Sequence, residues 1–471
     1  MSDRYVALVN TRPGGLLASR VGLPRPAKLE RYRPGAPLVD GRVLIGGAGG
    51  RDVDRSLLEA LVDVLGEARC ELSTGMDEDL RSLVAGAGVD ATVFNPEAPG
   101  EQRFKGLVFD ASGIADSREL VQLQAFFHPT VRRLKRCGRV IVLGLPASEC
   151  TSVAQQTAQR ALEGFTRSLG KEIGGGSTVQ LVLVAAGARA GMASTLRFLL
   201  SPRSAYVSGQ VVSLGTVPGA ATSVRIDWEH PLAGRTALVT GASRGIGEAI
   251  ATTLARDGAH VVGLDVPALG DELRLVSERL GGEAIELDIT AEDAPAVLAE
   301  RFAQGVDVIV HNAGVTRDRT LAKMPADRWS ELMDINLSSQ ERIDEALLAA
   351  DALRENGRIV CVSSMSGIAG NSGQTNYATS KAGVIGRVQA LAPVLGEKGR
   401  TINAVAPGFI ETKMTSAMPV TIREAGRRMS SLGQGGLPID VAETIAWFAS
   451  PASGAVNGNV IRVCGQNLLG A

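Results

Sequence analysis

Aromatic side chains are scarce in this 471-residue chain, at 4% of positions, while glycine is abundant at 56 residues. That balance suits parallel α/β domains with many tight turns. The five cysteines, Cys70, Cys137, Cys150, Cys361 and Cys464, are scattered, odd in number and without any Cys-x-x-Cys spacing. They read as reduced thiols in a cytoplasmic protein, with no metal site. Net charge is −1 and no basic stripe stands out, so nucleic-acid binding has no electrostatic support. No apolar run approaches the roughly 18 residues of a membrane helix. The opening MSDRYVALVNTRPGG lacks the apolar core of a secretory signal, so no membrane partner is expected. What remains is an ordinary globular composition, 45% apolar and 21% charged, on a chain too long for one core.

The same series of elements runs through the chain twice. Each half opens with an apolar strand entering glycines, RVLIGGAGG at 42–50 and RTALVTGASRGIG at 235–247. A second strand and turn follow, LVFDASG at 107–113 and VIVHNAG at 308–314. Next come GRVIVLG at 138–144 and GRIVCVS at 357–363, each followed by a long helical stretch, at 152–172 and 376–398. ASTLRFLLSPRSAYVSGQVV at 193–212 pairs with AETIAWFASPASGAVNGNVI at 442–461. Ordered matches of this kind argue for duplication. Strand–helix alternation in each half predicts two doubly wound parallel sheets. We expect an extension at 1–41 packed on the first domain, domains at 42–220 and 235–471, and a linker at 221–234, where Pro and Gly cluster.

In the second half TGASRGIG, Thr240–Gly247, lies between an apolar strand and a helical stretch. A glycine turn there lets backbone approach a pyrophosphate at a helix N-terminus. Asp265 ends the next strand, where an acidic residue bonds the ribose hydroxyls of a dinucleotide; the alternative is a helix cap. Arg244 favours a 2′-phosphate, whereas Asp265 would repel it. Close like charges in a shielded pocket cost a few kcal/mol against roughly 0–1 kcal/mol for an exposed pair, which favours NADH over NADPH.

Tyr377 and Lys381 are four residues apart and share a helix face. The Lys381 ammonium is expected to lower the tyrosine pKa, making Tyr377 a proton donor to a carbonyl. Ser364 follows a strand at the carboxyl end of the sheet, where it would hold the same carbonyl. With TGASRGIG, Asn312-Ala313-Gly314, Asn336 in DINL and Pro407-Gly408 in NAVAPGFIET, the second half resembles a short-chain dehydrogenase/reductase over its whole length. The resemblance implies a Rossmann-like fold. It implies Tyr377 as acid/base, Ser364 as carbonyl holder, Lys381 on Tyr377 and the nicotinamide ribose, and Asn336 in a proton relay. It further implies cofactor contacts from Gly241, Ser243, Arg244, Gly245, Ile246, Gly247 and Asp265. Asp288 and Ile289 would lie near the adenine, Asn312, Ala313 and Gly314 along the cleft, and Pro407, Gly408, Ile410 and Thr412 by the carboxamide.

GNSGQTNYATSKAGVIG and NAVAPGFIETKMT are similar to the β-ketoacyl-(acyl carrier protein) reductases. That likeness implies reduction of a 3-oxoacyl thioester, carried by acyl carrier protein or coenzyme A. The alternative is another alcohol or ketone, such as a steroid, sugar or polyol. Methionines at 414, 418 and 429 read as an apolar lid for an acyl chain, within a substrate loop at 410–437. Cys464 in VCGQN departs from the family's usual Asp. In the first half Gln155, Gln159 and Leu145 stand where Tyr377, Lys381 and Ser364 stand in the second, so no titrating proton is available. The first half is expected to be a degenerate, non-catalytic Rossmann- or flavodoxin-like copy, similar to the leading domain of high-molecular-weight ketoacyl reductases. Short-chain reductases assemble as tetramers through these long helices. A fused pseudo-subunit then predicts a homodimer, and the apolar stripe of Val153, Ala154, Thr157, Ala158, Ala161, Leu162, Phe165 and Leu169 motivates it.

Overall fold

The computed structural model describes residues 3–49, 55–97, 102–216, 226–416 and 418–468. Part of the expected linker, 221–225, and the end of the first glycine loop, 50–52, lie outside the described residues. Two compact units emerge, one of Ser2–Thr216 with Arg427–Gly435 and one of Val217–Gly426 with Gly436–Ala471.

The first unit contains β1 (Val43–Gly47), β2 (Leu72–Thr74), β3 (Ala91–Val93), β4 (Phe104–Asp110), β5 (Leu134–Gly144), β6 (Thr178–Val184) and β7 (Gln210–Leu214). The second contains β8 (Thr236–Thr240), β9 (His260–Asp265), β10 (Glu283–Glu286), β11 (Val306–His311), β12 (Leu353–Val362), β13 (Thr401–Pro407) and β14 (Val460–Val463). Their sheet orders are β3-β2-β1-β4-β5-β6-β7 and β10-β9-β8-β11-β12-β13-β14, parallel throughout. Adding seven to each strand of the first order gives the second. The order reverses beside β1 and β8, which is the switch point where doubly wound sheets bind ligands. Central strands such as β4, β11 and β13 are buried along their whole length, as helix-covered parallel strands must be.

The duplication extends to atomic detail. The β4–β5 register slips between Phe104 and Gly106, and the β11–β12 register slips between Val306 and Val308. Each slip carries a non-glycine residue with positive φ, Cys137 at 51° and Asn356 at 56°. Each is followed by Gly-Arg, and both arginines are buried. Arg139 Nε donates to the Ser201 carbonyl at 3.2 Å, and Arg358 Nε donates to the Ser450 carbonyl at 3.3 Å. An unpaired guanidinium would be costly there, so backbone carbonyls surround it.

The N-terminal extension forms helices Arg4–Val9 and Arg12–Arg20, capped by Asp3 and Thr11. It packs within the first unit: Lys105 Nζ meets Glu30 at 2.5 Å, and Cys137 Sγ lies 3.5 Å from the Lys28 carbonyl. Residues Arg427–Gly435, inside the expected substrate loop, also belong to this unit. Arg428 donates to Asp3 at 2.8 and 3.1 Å, and Gln434 Nε2 donates to the Ala27 carbonyl at 2.7 Å. The helix Val153–Glu172 buries Ala158, Leu162 and Leu169, while Val153, Ala154, Thr157 and Ala161 are exposed. The expected stripe is therefore two faces: one covers the sheet and one does not.

Candidate active site

The glycine loop after β8 is shaped by steric limits. Gly241 has φ +69°, and a Cβ there would lie 2.9 Å from Asn312 Nδ2. At Gly247 a Cβ would lie 1.8 Å from the Gly241 carbonyl oxygen. Gly245 has φ +65° and open space beyond it. The helix Gly245–Arg256 begins without a side-chain cap, so its first-turn N–H groups face outward from the loop toward any anion placed there. Asn312 clamps the loop, its Nδ2 donating to the Thr240 and Gly241 carbonyls at 3.0 and 3.1 Å. Thr240 Oγ1 accepts from the Asn312 and Ala313 amides, a bracing role that sequence reasoning missed although Thr240 opens the quoted motif.

Asp265 sits at the tip of β9 beside this loop. Its carboxylate accepts from Ser243 N and Oγ at 3.1 and 2.6 Å and from Val266 N at 3.0 Å. Neither of the next two helices, Pro267–Leu269 and Gly270–Leu280, has a side-chain cap, so Asp265 braces the glycine loop rather than capping the helix that follows. Arg244 is exposed at the helix start. Asp288 is exposed and accepts from Thr290. Ile289 is 6% exposed and its side chain belongs to the core.

Ser364 and Tyr377 meet because two helices pack closely. Ser364 caps the short helix Met365–Ala369. That helix rests on Thr375–Gly396 through Gly367, where a Cβ would lie 2.7 Å from the Lys381 carbonyl carbon. The Ser364 hydroxyl is close enough to the Tyr377 hydroxyl to favour the ionised tyrosine. Lys381 is buried beneath, its Nζ donating to the Val362 carbonyl at 2.8 Å, while Ser363 Oγ donates to the Lys381 carbonyl at 2.7 Å. Asn336 lies in a π-turn, Asp334–Ser338, a distortion common at functional sites. Its amide bonds both polar groups of the Val315 backbone, at 2.8 and 3.0 Å, and its Nδ2 lies 3.3 Å from Ser380 Oγ. Gly314 is adjacent: a Cβ on it would lie 3.2 Å from Asn336 Oδ1 and 3.4 Å from Lys381 Nζ.

One electrostatic expectation is reversed. Burial raises the Tyr377 pKa above its ordinary 10, the Ser364 hydroxyl opposes this and Asp318 adds to it. Lys381 Nζ is 5.8 Å from the Tyr377 ring centroid, and burial rather than this charge decides the direction. Burial pushes Lys381 itself down to about 8.

Pro407 ends β13, and Gly408 lies against Cys464, 2.6 Å from where its Cβ would be. The Cys464 departure is thus a packing contact beneath this turn. Ile410 is buried and bridges to Gly436, and the Thr412 amide is held by Thr415 Oγ1 at 2.8 Å. In the substrate loop, Met418, Val420 and Ile422 are exposed and Met429 is half-buried; the Met414 side chain lies outside the described residues.

The corresponding place in the first unit is filled by its own side chains. Gln159 Oε1 accepts from the Leu145 amide at 2.9 Å, and its Nε2 donates to the Ala111 and Ile114 carbonyls at 2.9 and 3.0 Å. Gln155 Oε1 accepts from the Thr151 amide. Gln122 Oε1 accepts from the Gly49 amide at 2.7 Å, and Phe126 packs on Gly46. Among the described residues no cluster of His, Cys, Asp or Glu is arranged to hold a metal, and no helix is long and apolar enough to cross a membrane.

A family profile described as enoyl-(acyl carrier protein) reductase matches residues 241–465. The chain is 42% identical over 238 residues to the 3-oxoacyl-[acyl-carrier-protein] reductase of Vibrio cholerae, covering 50% of this chain and 97% of that protein. It is 40% identical over 240 residues to the enzyme of the same description from Pseudomonas aeruginosa, covering 50% and 97%. For that of Escherichia coli K12 the figures are 39% over 238 residues, covering 49% and 96%.

Proposed function

Because the chain belongs to the short-chain dehydrogenase/reductase family, we propose that it reduces 3-oxoacyl thioesters to 3-hydroxyacyl thioesters with a nicotinamide cofactor. The observation that carries this reading is the neighbouring Ser364 and Tyr377 hydroxyls with the buried Lys381, bonded to the Val362 carbonyl, beside a glycine loop at the switch point. Two converging hydroxyls suit a carbonyl oxygen, which gains negative charge as it is reduced.

The cradle fits a dinucleotide: glycines at 241, 245 and 247 leave no side chain of their own in the turn, and an uncapped helix start faces it. Gly241, Ser243, Arg244, Gly245, Ile246 and Gly247 would hold the pyrophosphate and Asp265 the adenosine ribose. Asp288 and the Ile289 backbone would flank the adenine. Asn312, Ala313 and Gly314 would line the cleft, and Pro407, Gly408, Ile410 and Thr412 would meet the carboxamide. When bound, this cofactor supplies the hydride. Tyr377 donates the proton to the carbonyl oxygen while Ser364 donates a hydrogen bond to it. The raised Tyr377 pKa keeps the phenol protonated, which is the form reduction needs. Lys381, charged below about pH 8, stabilises the phenolate that proton transfer leaves. Asn336, through its bonds to Val315 and Ser380, holds the wall of the site rather than offering a vacant amide.

The preferred cofactor in this reading is NADH. The Asp265 carboxylate would face a 2′-phosphate at short range, while exposed Arg244 offers only a screened attraction. The acyl group is carried by acyl carrier protein or coenzyme A, and exposed Met418, Val420 and Ile422 give an acyl chain an apolar surface. The chain works in the cytoplasm as a homodimer, an assembly supported by the exposed helix face of Val153, Thr157 and Ala161 in the non-catalytic half. The test follows NADH and NADPH oxidation side by side with acetoacetyl-coenzyme A. Turnover by the wild type, its loss in Tyr377→Phe and a mass of two chains by light scattering support the reading. Nucleotide binding without turnover of this thioester or its acyl carrier protein form refutes it.

A further inference from the structure

Three charged or titratable side chains meet in the interior of the second unit without touching the glycine loop or the reacting hydroxyls. His311 Nε2 lies 2.9 Å from Asp344 Oδ1, and both side chains are 2% exposed. Arg387, 7% exposed, is bonded to Asp344 Oδ2. The guanidinium also contacts Cys361 Sγ at 3.7 Å and the Gln340 carbonyl at 3.5 Å. Despite burial, His311 and Arg387 hold the Asp344 carboxyl below its ordinary value, so the carboxylate stays charged.

A buried ion network is weak support for stability, because apolar residues of the same volume serve as well or better. Its placement calls for another explanation. His311 ends β11 and immediately precedes Asn312, the clamp on the glycine loop. Asp344 lies on the helix Ser339–Ala349, which continues from the π-turn bearing Asn336. Arg387 lies on the helix of Tyr377 and Lys381, six residues beyond Lys381. Cys361 lies on β12, three residues before Ser364. One carboxylate and one guanidinium thus tie together four of the segments that carry or adjoin site residues.

We propose that His311, Asp344 and Arg387 form a positioning network that fixes the Ser364–Tyr377–Lys381 set against the Asn312 turn. The geometry of an ion network is directional, whereas apolar packing tolerates sliding. Displacement of about 1 Å in a catalytic constellation can lower the rate on the order of 100-fold. The network therefore acts on kcat more than on binding. This inference rests on the reductase reading above.

The test uses the full chain with Asp344→Asn/Arg387→Gln, which removes both charges at similar volume, and with His311→Phe and His311→Gln. For each protein kcat and KM are measured for NADH and acetoacetyl-coenzyme A, well below its thermal midpoint. Expected results are a kcat at least about tenfold lower in the double variant and in His311→Phe, on the scale that misplacement produces. Cofactor KM should stay within about threefold, and His311→Gln should regain most of the rate through its amide. If the double variant does not fold, the two His311 variants decide by the same criteria. Unchanged kcat with only a lower midpoint overturns the proposal. If the wild type itself leaves the thioester unreduced, the reductase reading fails, and a crystal structure of a folded variant then decides. Displaced Ser364 and Tyr377 hydroxyls and a displaced Lys381–Val362 bond support positioning, and unmoved ones refute it.

Discussion

Replacing Lys381 with methionine should make the catalytic unit more stable at neutral pH while abolishing turnover. Burial lowers the Lys381 pKa from 10.5 to about 8. A shift of that size corresponds to about 3 kcal/mol of cost for keeping the ammonium charged inside the protein. Methionine has similar length and no charge, so the cost disappears. The substitution also removes the Nζ bond to the Val362 carbonyl, a loss of about 1 kcal/mol. The net gain is about 2 kcal/mol at pH 7. Sign follows from linkage. Between pH 8 and 10.5 the unfolded chain holds the lysine proton and the folded chain has released it, so wild-type stability rises with pH. The advantage of Lys381→Met is therefore complete below pH 8 and shrinks above it. Trp228, Trp329 and Trp447 all lie in the second half, so tryptophan fluorescence in urea reports that unit's unfolding. Destabilisation by Lys381→Met at pH 7, or a difference constant from pH 7 to 10, would refute the reasoning.

Gly247→Ala should cripple nucleotide binding, since its Cβ would sit 1.8 Å from the Gly241 carbonyl oxygen and the loop must open. A loss of at least about tenfold in affinity, or about 1.4 kcal/mol, is expected by calorimetric titration, and an unchanged Kd contradicts the cradle. Gln159→Ala should destabilise the first unit by about 1–3 kcal/mol through its orphaned Leu145 amide and Ala111 and Ile114 carbonyls, with kcat unaltered. Scanning calorimetry beside the reductase assay checks both halves of that statement. Asp265→Asn should raise the NADPH-to-NADH ratio of kcat/KM by at least about tenfold, as removal of one like charge at short range implies; an unchanged ratio would remove Asp265 from cofactor choice.

The repeated parallel α/β architecture and the two long helices were legible from pattern alone, since stretches at 152–172 and 376–398 become Val153–Glu172 and Thr375–Gly396. Periodicity located these helices but could not assign their faces. Val153 and Leu162 share the apolar character of the stripe, yet Val153 is 81% exposed and Leu162 is buried. The rise in the Tyr377 pKa was likewise out of reach. Helical spacing places Lys381 on the same face as Tyr377, but how much solvent each loses depends on β12 and the turn at Ser364. His311, Asp344 and Arg387 have no sequence spacing to reveal them. They meet because two helices far apart in sequence bring Asp344 and Arg387 to the end of β11.

The two halves together show what the catalytic set demands of the fold. Arg139 and Arg358 occupy matching places, and each is surrounded by carbonyls of its own half, so this buried cation serves the architecture and is present in both. Lys381 is different. It makes one hydrogen bond to Val362, and its charge is disfavoured by its surroundings. In the half without a tyrosine for it to act on, the matching position is Gln159, a neutral side chain of similar reach that bonds one amide and two carbonyls. A glutamine in the second unit would satisfy the same kind of backbone groups without a buried charge. The lysine there is a feature the fold alone would not choose, and the stability gain predicted for Lys381→Met measures how far the site departs from what the architecture prefers.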